Sequence, residues 1–332
     1  MFLAKKQMSS KIPKYKQIIS LIENAIISGE LKAGDQLPSL NTLRNKFKIS
    51  RDTIITAFNE MKARGVIYSV VGKGYYVKTT DIKVQIKILL LFDELNAFKE
   101  DLYNSFLGEL EDDYQVDIFF HHFNFDFFAK IISESVGNYG YYVVMPANFS
   151  GVELVLEALP VNKTYILDQT QDTLSYYPSI YQNFENYIYD GLTALYDNIS
   201  PYKKLILIYD ANKQPQGIQD GFKLFCSTNK IKHEILGAIT NKAIKKGEVY
   251  FTLEDKDLIK IIKKLKQTSY QLGKDIGIIS FNDTLLKEIL EGGITTISAD
   301  FKFMGSQLAK MLKKNVLSQI ENPKKVILRK SL

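Results

Sequence analysis

Residues 37–77, LPSLNTLRNKFKISRDTIITAFNEMKARGVIYSVVGKGYYV, decide the fold of the N-terminal part of the chain. Ser39 and Ser50 each stand just before an apolar run with helical spacing, and a serine hydroxyl in that position can accept the unpaired N–H groups of a first helical turn. Gly65 follows the second run and is suited to end a helix. The stretch therefore predicts two helices joined by a tight turn at residues 48–49.

The second predicted helix has two different faces. Ile54, Phe58 and Met61 recur at three to four residues and predict a buried side. The first turn of the same helix carries Arg51 and Thr53, whose side chains can reach phosphates and base edges in the major groove of DNA. This helix is therefore the predicted recognition helix.

A predicted hairpin follows the second helix. Residues 66–77 are rich in Val, Ile and Tyr, and Gly72, Lys73 and Gly74 lie at its tip. Two glycines let the tip approach a DNA backbone closely, and the lysine supplies charge. The stretch thus predicts a winged helix-turn-helix. We expect DNA contacts from nine of its residues: Ser39, Arg44, Ser50, Arg51, Asp52, Thr53, Gly72, Lys73 and Gly74.

Charge is concentrated in the same part of the chain. Residues 1–80 hold eleven Lys and three Arg against five Asp or Glu, which gives +9 and leaves −3 for residues 81–332 of a chain whose total is +6. A basic N-terminal part on a slightly acidic remainder is typical of a protein that binds nucleic acid through the basic part alone.

The composition is that of a globular protein in a reducing compartment. The chain has 332 residues, 45% of them hydrophobic, and a single cysteine, Cys226, so it cannot form an internal disulfide. The N-terminus lacks the apolar segment of a secretory signal, and the apolar runs are too short to span a bilayer. We therefore expect a cytoplasmic protein with no membrane partner.

The motifs of the first part resemble those of the GntR family of transcription factors. The shared features are Pro38-Ser39 at the first helix, Ser50-Arg51 at the second, and the Gly-x-Gly of the wing. The chain departs from the family at Asn41, where the family often has a DNA-contacting arginine. Arg44 lies one turn further on and could compensate. The resemblance implies binding to double-stranded operator DNA.

The pattern changes after residue 85. Continuous apolar strands, beginning with residues 86–92, alternate with amphipathic helices to the end of the chain, which predicts parallel sheets covered on both faces. The strands are too numerous for one ordinary sheet, so we expect two α/β lobes with a cleft between them. The predicted domains are a winged helix-turn-helix at 1–79, a linker at 80–85 and an α/β body at 86–332.

The body resembles the sugar-binding core of the LacI/GalR regulators, whose fold is that of periplasmic binding proteins. The matching segments are residues 279–283, 295–305 and 326–331. The resemblance implies a homodimer and chain crossings between the lobes near residues 182, 301 and 316. A GntR-type head on such a body resembles the arabinose-responsive repressors.

Polar and aromatic residues at predicted strand ends are the candidates for ligand binding, because a sugar needs hydrogen-bonding side chains and an aromatic face. The resemblance points to Asp168, Asn282 and Phe301, while Asp93, Asn183 and Glu254 are suggested by their positions at strand ends and at the first crossing. The arginine that the family uses on its sugar is replaced by Ile218. Gln219 or a lysine could take its place.

An enzymatic role has little support. The three histidines are not at metal-ligand spacing, the wing glycines do not form a phosphate loop, and no nucleophile motif is present. We expect no catalytic residue, no metal and no cofactor. The predicted function is a repressor of sugar-utilisation genes that responds to an arabinose- or fucose-like monosaccharide. The alternatives are a regulator of the same build that responds to another small molecule, an activator, and an enzyme fused to a winged helix.

Overall fold

The computed structural model describes residues 13–81, 86–239 and 242–332. These residues fall into two units, one drawn from the described residues of 13–92, 110–144 and 151–165, and the other from those of 93–109, 145–150 and 166–332. Most of the predicted linker, residues 82–85, lies outside the described residues. No helix within the described ranges is long and apolar enough to cross a membrane.

The winged helix-turn-helix is confirmed. It consists of three helices and a two-stranded hairpin, which are α1 (Lys14–Ile27), α2 (Leu40–Phe47), α3 (Arg51–Ala63), β1 (Ile67–Val70) and β2 (Gly74–Val77). The hairpin is antiparallel and pairs Ile67 with Val77. Phe58 and Met61 of α3 are fully buried in a core that all three helices and both strands share.

Local hydrogen bonds explain where these helices begin. The Ser39 hydroxyl accepts the Thr42 N–H at 3.1 Å, and the Ser50 hydroxyl accepts the Thr53 N–H at 3.2 Å. Lys48 ends α2 in a left-handed conformation with φ 53°. This conformation makes the tight turn predicted at residues 48–49. Both serine caps are therefore present as the sequence predicted.

The rest of the chain alternates strands and helices. Its elements begin with β3 (Ile86–Phe92), α4 (Ala97–Glu109), β4 (Tyr114–Phe120), α5 (Phe125–Ser135), β5 (Tyr141–Val144), α6 (Val152–Leu156), β6 (Thr164–Asp168), β7 (Ser179–Tyr181), α7 (Phe184–Ala194) and α8 (Tyr196–Ile199). They continue with β8 (Lys204–Ile208), α9 (Gln216–Thr228), β9 (His233–Leu236), β10 (Glu248–Thr252), α10 (Asp255–Leu265), β11 (Ile276–Phe281), α11 (Leu285–Ile289), β12 (Thr295–Ala299), α12 (Phe301–Lys314), β13 (Gln319–Glu321) and β14 (Lys324–Ile327).

These strands form two mainly parallel sheets, as expected for an α/β body. Within the second unit, six strands lie in the order β14-β12-β11-β10-β8-β9, with β14 antiparallel to β12. In the first unit β3 lies between β4 and β5, and in the second β7 pairs with β6 and β13. The side chains of β10 and β11 are buried throughout, because helices cover both faces of a parallel sheet.

The chain passes between the two sheets at places that differ in part from the prediction. The first passage follows β7 at Gln182, and the second leads from β12 into α12 at Asp300, near the expected positions. The third lies at Asn322-Pro323 rather than near Val316, because β13 first pairs with β7. The sequence did not reveal β7 or β13, since three-residue strands show no recognisable period.

Two helix pairs of the second unit pack so closely that only glycine fits between them. A Cβ atom on Gly305 of α12 would lie 2.2 Å from the Leu102 carbonyl oxygen of α4, and one on Gly221 of α9 would lie 2.3 Å from the Glu185 carbonyl oxygen of α7. These are backbone atoms, which cannot move aside without shifting a helix.

We predict that Gly305→Ala lowers the free energy of unfolding by about 1–3 kcal/mol, since the new methyl group forces α4 and α12 apart. Gly108 of α4 is the matched control, because a Cβ atom there meets nothing within 4 Å. Gly108→Ala should stabilise the helix by about 0.5–1 kcal/mol. Urea unfolding of the two variants measures both effects, and equal stabilisation by the two substitutions contradicts the close contact.

Candidate functional site

Six of the nine predicted DNA-binding residues line one groove of the winged head. Its lining includes Ser39, Arg44, Arg51 and the wing tip Gly72-Lys73-Gly74, and its volume is about 570 Å³. Arg44, Arg51 and Lys73 are exposed. Two helices and a hairpin thus bring three cations to one surface, an arrangement suited to a polyanion.

The remaining predicted contacts lie at the start of α3. The Ser50 hydroxyl bonds both the N–H and the hydroxyl of Thr53, the latter at 2.7 Å, so these two side chains build the helix cap. Asp52 is exposed in the first turn. Asn41, which replaces the family arginine, also lines the groove. Backbone N–H groups at a capped helix start are themselves suited to a phosphate.

Gln36, which precedes α2, supports the wing and was not indicated by the sequence. Its side-chain amide donates to the Lys73 carbonyl oxygen at 2.6 Å, across the base of the tip. Gly72 and Gly74 have φ values of 73° and 114°, and a residue with a side chain would be strained in this conformation. Arg64, by contrast, forms an ion pair with Glu23 of α1, so this head arginine is engaged inside the domain.

A buried ion pair lies at the start of the second unit. Asp93 follows β3, and its carboxylate accepts a hydrogen bond from the ammonium group of Lys99 on α4. The residues are 3% and 4% exposed. Lys99 was missed from the sequence, although it shares the inward stripe of α4 with Leu102 and Phe106 at helical spacing.

Asp168 lies at the end of β6 beside this ion pair. It is buried, it has a left-handed φ of 71°, and it accepts a hydrogen bond from the side-chain amide of Gln182. Burial raises the pKa of the Asp168 carboxyl to about 6, Lys99 opposes that rise, and Asp93 adds to it. The structure therefore places two predicted residues, Asp93 and Asp168, in one electrostatic cluster with Lys99 and Gln182.

Tyr187 of α7 completes the cluster. It is 1% exposed, and burial raises the pKa of its hydroxyl, with Glu321 and Asp168 adding to the shift. The Tyr187 hydroxyl and the Gln182 side-chain oxygen are buried and have no hydrogen-bond partner among the described residues. We call Asp93, Lys99, Asp168, Gln182 and Tyr187 the polar cluster.

Asn282 lies at the end of β11 in the other sheet. Its φ is 58°, and its side-chain oxygen accepts the Ala299 N–H at 3.4 Å. The ammonium group of Lys287 donates to the Phe281 and Asn282 carbonyl oxygens at 2.8 and 2.7 Å. The next residue, Asp283, forms a two-pronged ion pair with Arg329 at 2.6 and 2.8 Å. One buried ammonium group and one half-buried ion pair thus fix the loop that carries Asn282.

Phe301 begins α12 and lies against Phe98, with 4.7 Å between the ring centres. Both rings line a cavity of about 620 Å³, together with Asp283 and Ser298. Phe98 is the neighbour of Lys99 on α4, so an aromatic pair lies close in sequence to the polar cluster. An aromatic face of this kind is what the C–H side of a sugar ring requires.

The other predicted ligand residues have separate surroundings. The Asn183 side chain caps α7 by accepting the Asn186 N–H at 3.3 Å. Glu254 accepts from Gln214 at 3.1 Å, pairs with Lys256 at 2.6 Å, and lines a different cavity of about 170 Å³. Ile218 is 1% exposed and belongs to the hydrophobic core of the second unit.

Residues 13–81, 86–239 and 242–332 contain no cluster of three or more His, Cys, Asp or Glu side chains that could hold a metal ion. Cys226 is buried in a hydrophobic core, and burial raises the pKa of its thiol to about 12, so it is not a reactive thiolate.

Comparisons with known proteins agree with this architecture. Residues 14–77 match the family model described as bacterial regulatory proteins, gntR family, and residues 202–332 match the periplasmic binding protein-like domain. The transcriptional repressor YtrA of Bacillus subtilis is 31% identical over 93 residues, which cover 25% of this chain and 72% of that protein.

Two further relatives are named for sugar metabolism. The arabinose metabolism transcriptional repressor of Geobacillus stearothermophilus is 33% identical over 75 residues, 23% of this chain and 21% of that protein. The mannosyl-D-glycerate transport/metabolism system repressor MngR of Escherichia coli is 38% identical over 82 residues, 25% of this chain and 34% of that protein. Both matches thus span about a third or less of the relative's length.

Solved structures share the fold of the body. A LacI family transcriptional regulator from Silicibacter pomeroyi has a TM-score of 0.64 at 14% identity and covers 74% of this chain and 98% of its own. The trehalose repressor of Escherichia coli has a TM-score of 0.60 at 18% identity and covers 73% of this chain and 100% of its own. With its winged head and its periplasmic-binding-protein-like body, the chain belongs to the GntR family of bacterial regulatory proteins.

Proposed function

We propose that the protein is a cytoplasmic repressor of sugar-utilisation genes whose affinity for operator DNA is changed by a monosaccharide bound in the body. The observation that carries this proposal is the polar cluster at the strand ends of a periplasmic-binding-protein-like body, in a chain that also carries a winged DNA-binding head. The arabinose and mannosyl-D-glycerate repressors among its relatives support a sugar as the ligand.

In this proposal residues 1–79 form the DNA-binding domain and residues 86–332 form the effector-binding domain, joined by residues 80–85. The exposed side chains of Arg44, Arg51 and Lys73 bind the DNA, with α3 in the major groove and the wing beside the minor groove. Two copies of the chain form a dimer that reads two half-sites, roughly one helical turn or a multiple of it apart.

The ligand acts by binding two arrangements of the body with different affinity, which is the condition for any change in DNA affinity. Asp168 and Asn282 lie at strand ends of different sheets, so a sugar held by both favours the arrangement that brings them together. Phe301 supplies the aromatic face. The favoured direction is release from DNA when sugar binds.

We predict that Arg51→Ala weakens operator binding by about 1–3 kcal/mol, because the side chain contacts phosphate or guanine at the start of the recognition helix. Lys73→Ala should lower the affinity and reduce its salt dependence with little change in sequence preference. Lys16→Ala is the control, since Lys16 is an exposed lysine on α1 outside the groove. Fluorescence anisotropy across a salt series measures all three, and unchanged affinity in both groove variants contradicts the DNA surface.

We predict that Asp168→Ala and Asn282→Ala each abolish the release of operator by sugar and leave binding without sugar intact. Each hydrogen bond to a sugar hydroxyl should contribute roughly 1–3 kcal/mol once water is excluded. The measurement is a titration of pentoses and hexoses into the protein–operator complex. Release by both variants at the wild-type concentration shows that the ligand binds elsewhere.

A further inference from the structure

The C-terminal half of α3 is covered on the side that faces away from the core of the winged head. No residue from 57 to 67 is exposed, whereas Arg51 and Thr56 in the first half of the helix are. Ala63 is 4% exposed, although it shares with Thr56 and Asn59 the face that points away from the head's core. A surface outside that core therefore covers this face.

The turn between α5 and β5 lies against the covered face. A Cβ atom on Gly137 of this turn would lie 2.8 Å from the Asn59 Cγ atom. Gly65, which follows α3, lies beside β3, since a Cβ atom on it would be 3.8 Å from the Lys87 Cε atom. Burial also lowers the pKa of the Lys62 ammonium group on α3. The recognition helix and this part of the body belong to the same unit and touch at two places.

Hydrogen bonds hold the turn firmly to the sheet. The Gly137 N–H donates to the Tyr142 hydroxyl at 2.9 Å, and that hydroxyl donates to the Ser135 carbonyl oxygen at 3.1 Å. The Gly140 N–H donates to the Lys87 carbonyl oxygen of β3 at 2.8 Å. Because β3 lies between β4 and β5, contact with the turn fixes the position of α3 relative to this sheet.

The contact leaves the DNA-binding groove free. Arg44, Arg51 and Lys73 are all exposed while the second half of α3 is covered, so the head can meet DNA without leaving the body. A freely moving head loses orientational freedom when it binds, whereas a head that is already held has little left to lose. This difference is largest when two heads must engage two half-sites at a fixed spacing.

This inference rests on the proposed function, because it concerns the binding of operator DNA by a dimer. We propose that the turn between α5 and β5 is the docking site of the recognition helix and holds the head in its operator-binding orientation. Gly137 and the start of β3 form the docking site, which receives Asn59, Ala63 and Gly65. A change in the body that moves this turn moves the head with it.

The docking contact is tested by a substitution on the body alone. Gly137→Asn suits the local φ of 72°, which asparagine tolerates, but its side chain needs the place that Asn59 occupies. Gly151→Asn is the matched control, because φ there is 78° and a Cβ atom meets nothing within 4 Å. The probes are a two-site duplex, enriched from random-sequence DNA by the wild-type full-length protein, and the same duplex with one half-site scrambled.

We expect Gly137→Asn to bind the two-site duplex at least about tenfold more weakly than wild type, because an unheld head weakens the second binding event. Its binding to the one-site duplex should be unchanged, and Gly151→Asn should match wild type on both. Adding Asn59→Ala to Gly137→Asn removes the clash and should restore most of the lost affinity.

The other results overturn the inference. Unchanged affinity of Gly137→Asn for the two-site duplex shows that the turn does not orient the head, and tighter binding shows that the docked head is an inhibited state. Equal loss on both duplexes means that the turn does not act through the pairing of two heads. In each of these cases the proposed function stands. If no duplex is enriched, the proposed function fails together with the inference.

A disulfide tests the same contact in the opposite direction. In Asn59→Cys/Gly137→Cys the sulfur at position 59 takes about the place of the Asn59 Cγ atom, close enough to residue 137 for a disulfide. Cys226 is buried and stays reduced. We expect the disulfide to form on oxidation and the oxidised protein to bind the two-site duplex at least as tightly as the same protein after reduction. Failure to form the disulfide, or weaker binding once it has formed, overturns the proposal.

Discussion

Two carboxyl groups buried beside a single ammonium group are the constraint on which the body of this protein depends. Removing a charge from water is unfavourable by several kcal/mol unless it is paired. Asp93 meets this condition through Lys99. Asp168 accepts a hydrogen bond from the Gln182 amide and forms no ion pair among the described residues, and burial raises its pKa to about 6. The site is therefore incompletely compensated by its own side chains, which supports the proposal that a hydroxyl-bearing ligand binds there.

Backbone conformation points to the same places. Asp168 and Asn282 both have positive φ, 71° and 58°, although neither is glycine. Such conformations are uncommon outside glycine and cluster at binding sites, where the surrounding structure holds them. At Asn282 the support is visible, because Lys287 donates to two carbonyl oxygens of the loop. Both residues were singled out by resemblance alone, and the strain is an independent reason to propose them as ligand contacts.

The sequence predicted the head in detail because its signals are local. A serine cap, a left-handed turn and a glycine tip act within a few residues, and each was found where expected. The body was predicted as alternating strands and helices for the same reason. The short strands β7 and β13 were not, because three-residue strands show no recognisable period and β13 is defined by its pairing with β7, about 140 residues away along the chain. Lys99 was missed since burial of a lysine depends on a tertiary partner, Asp93.

Gln182 links the proposed ligand site to the passages between the sheets. It follows β7 at the first passage, and its side chain bonds Asp168. The three passages are themselves connected, since the Asn322 N–H donates to the Tyr181 carbonyl oxygen at 2.8 Å and the Asp300 N–H donates to the Pro323 carbonyl oxygen at 3.0 Å. A hinge absorbs motion in a few terminal residues of its elements. If these passages act as the hinge of the proposed change of arrangement, a ligand that bonds Gln182 acts on that hinge directly.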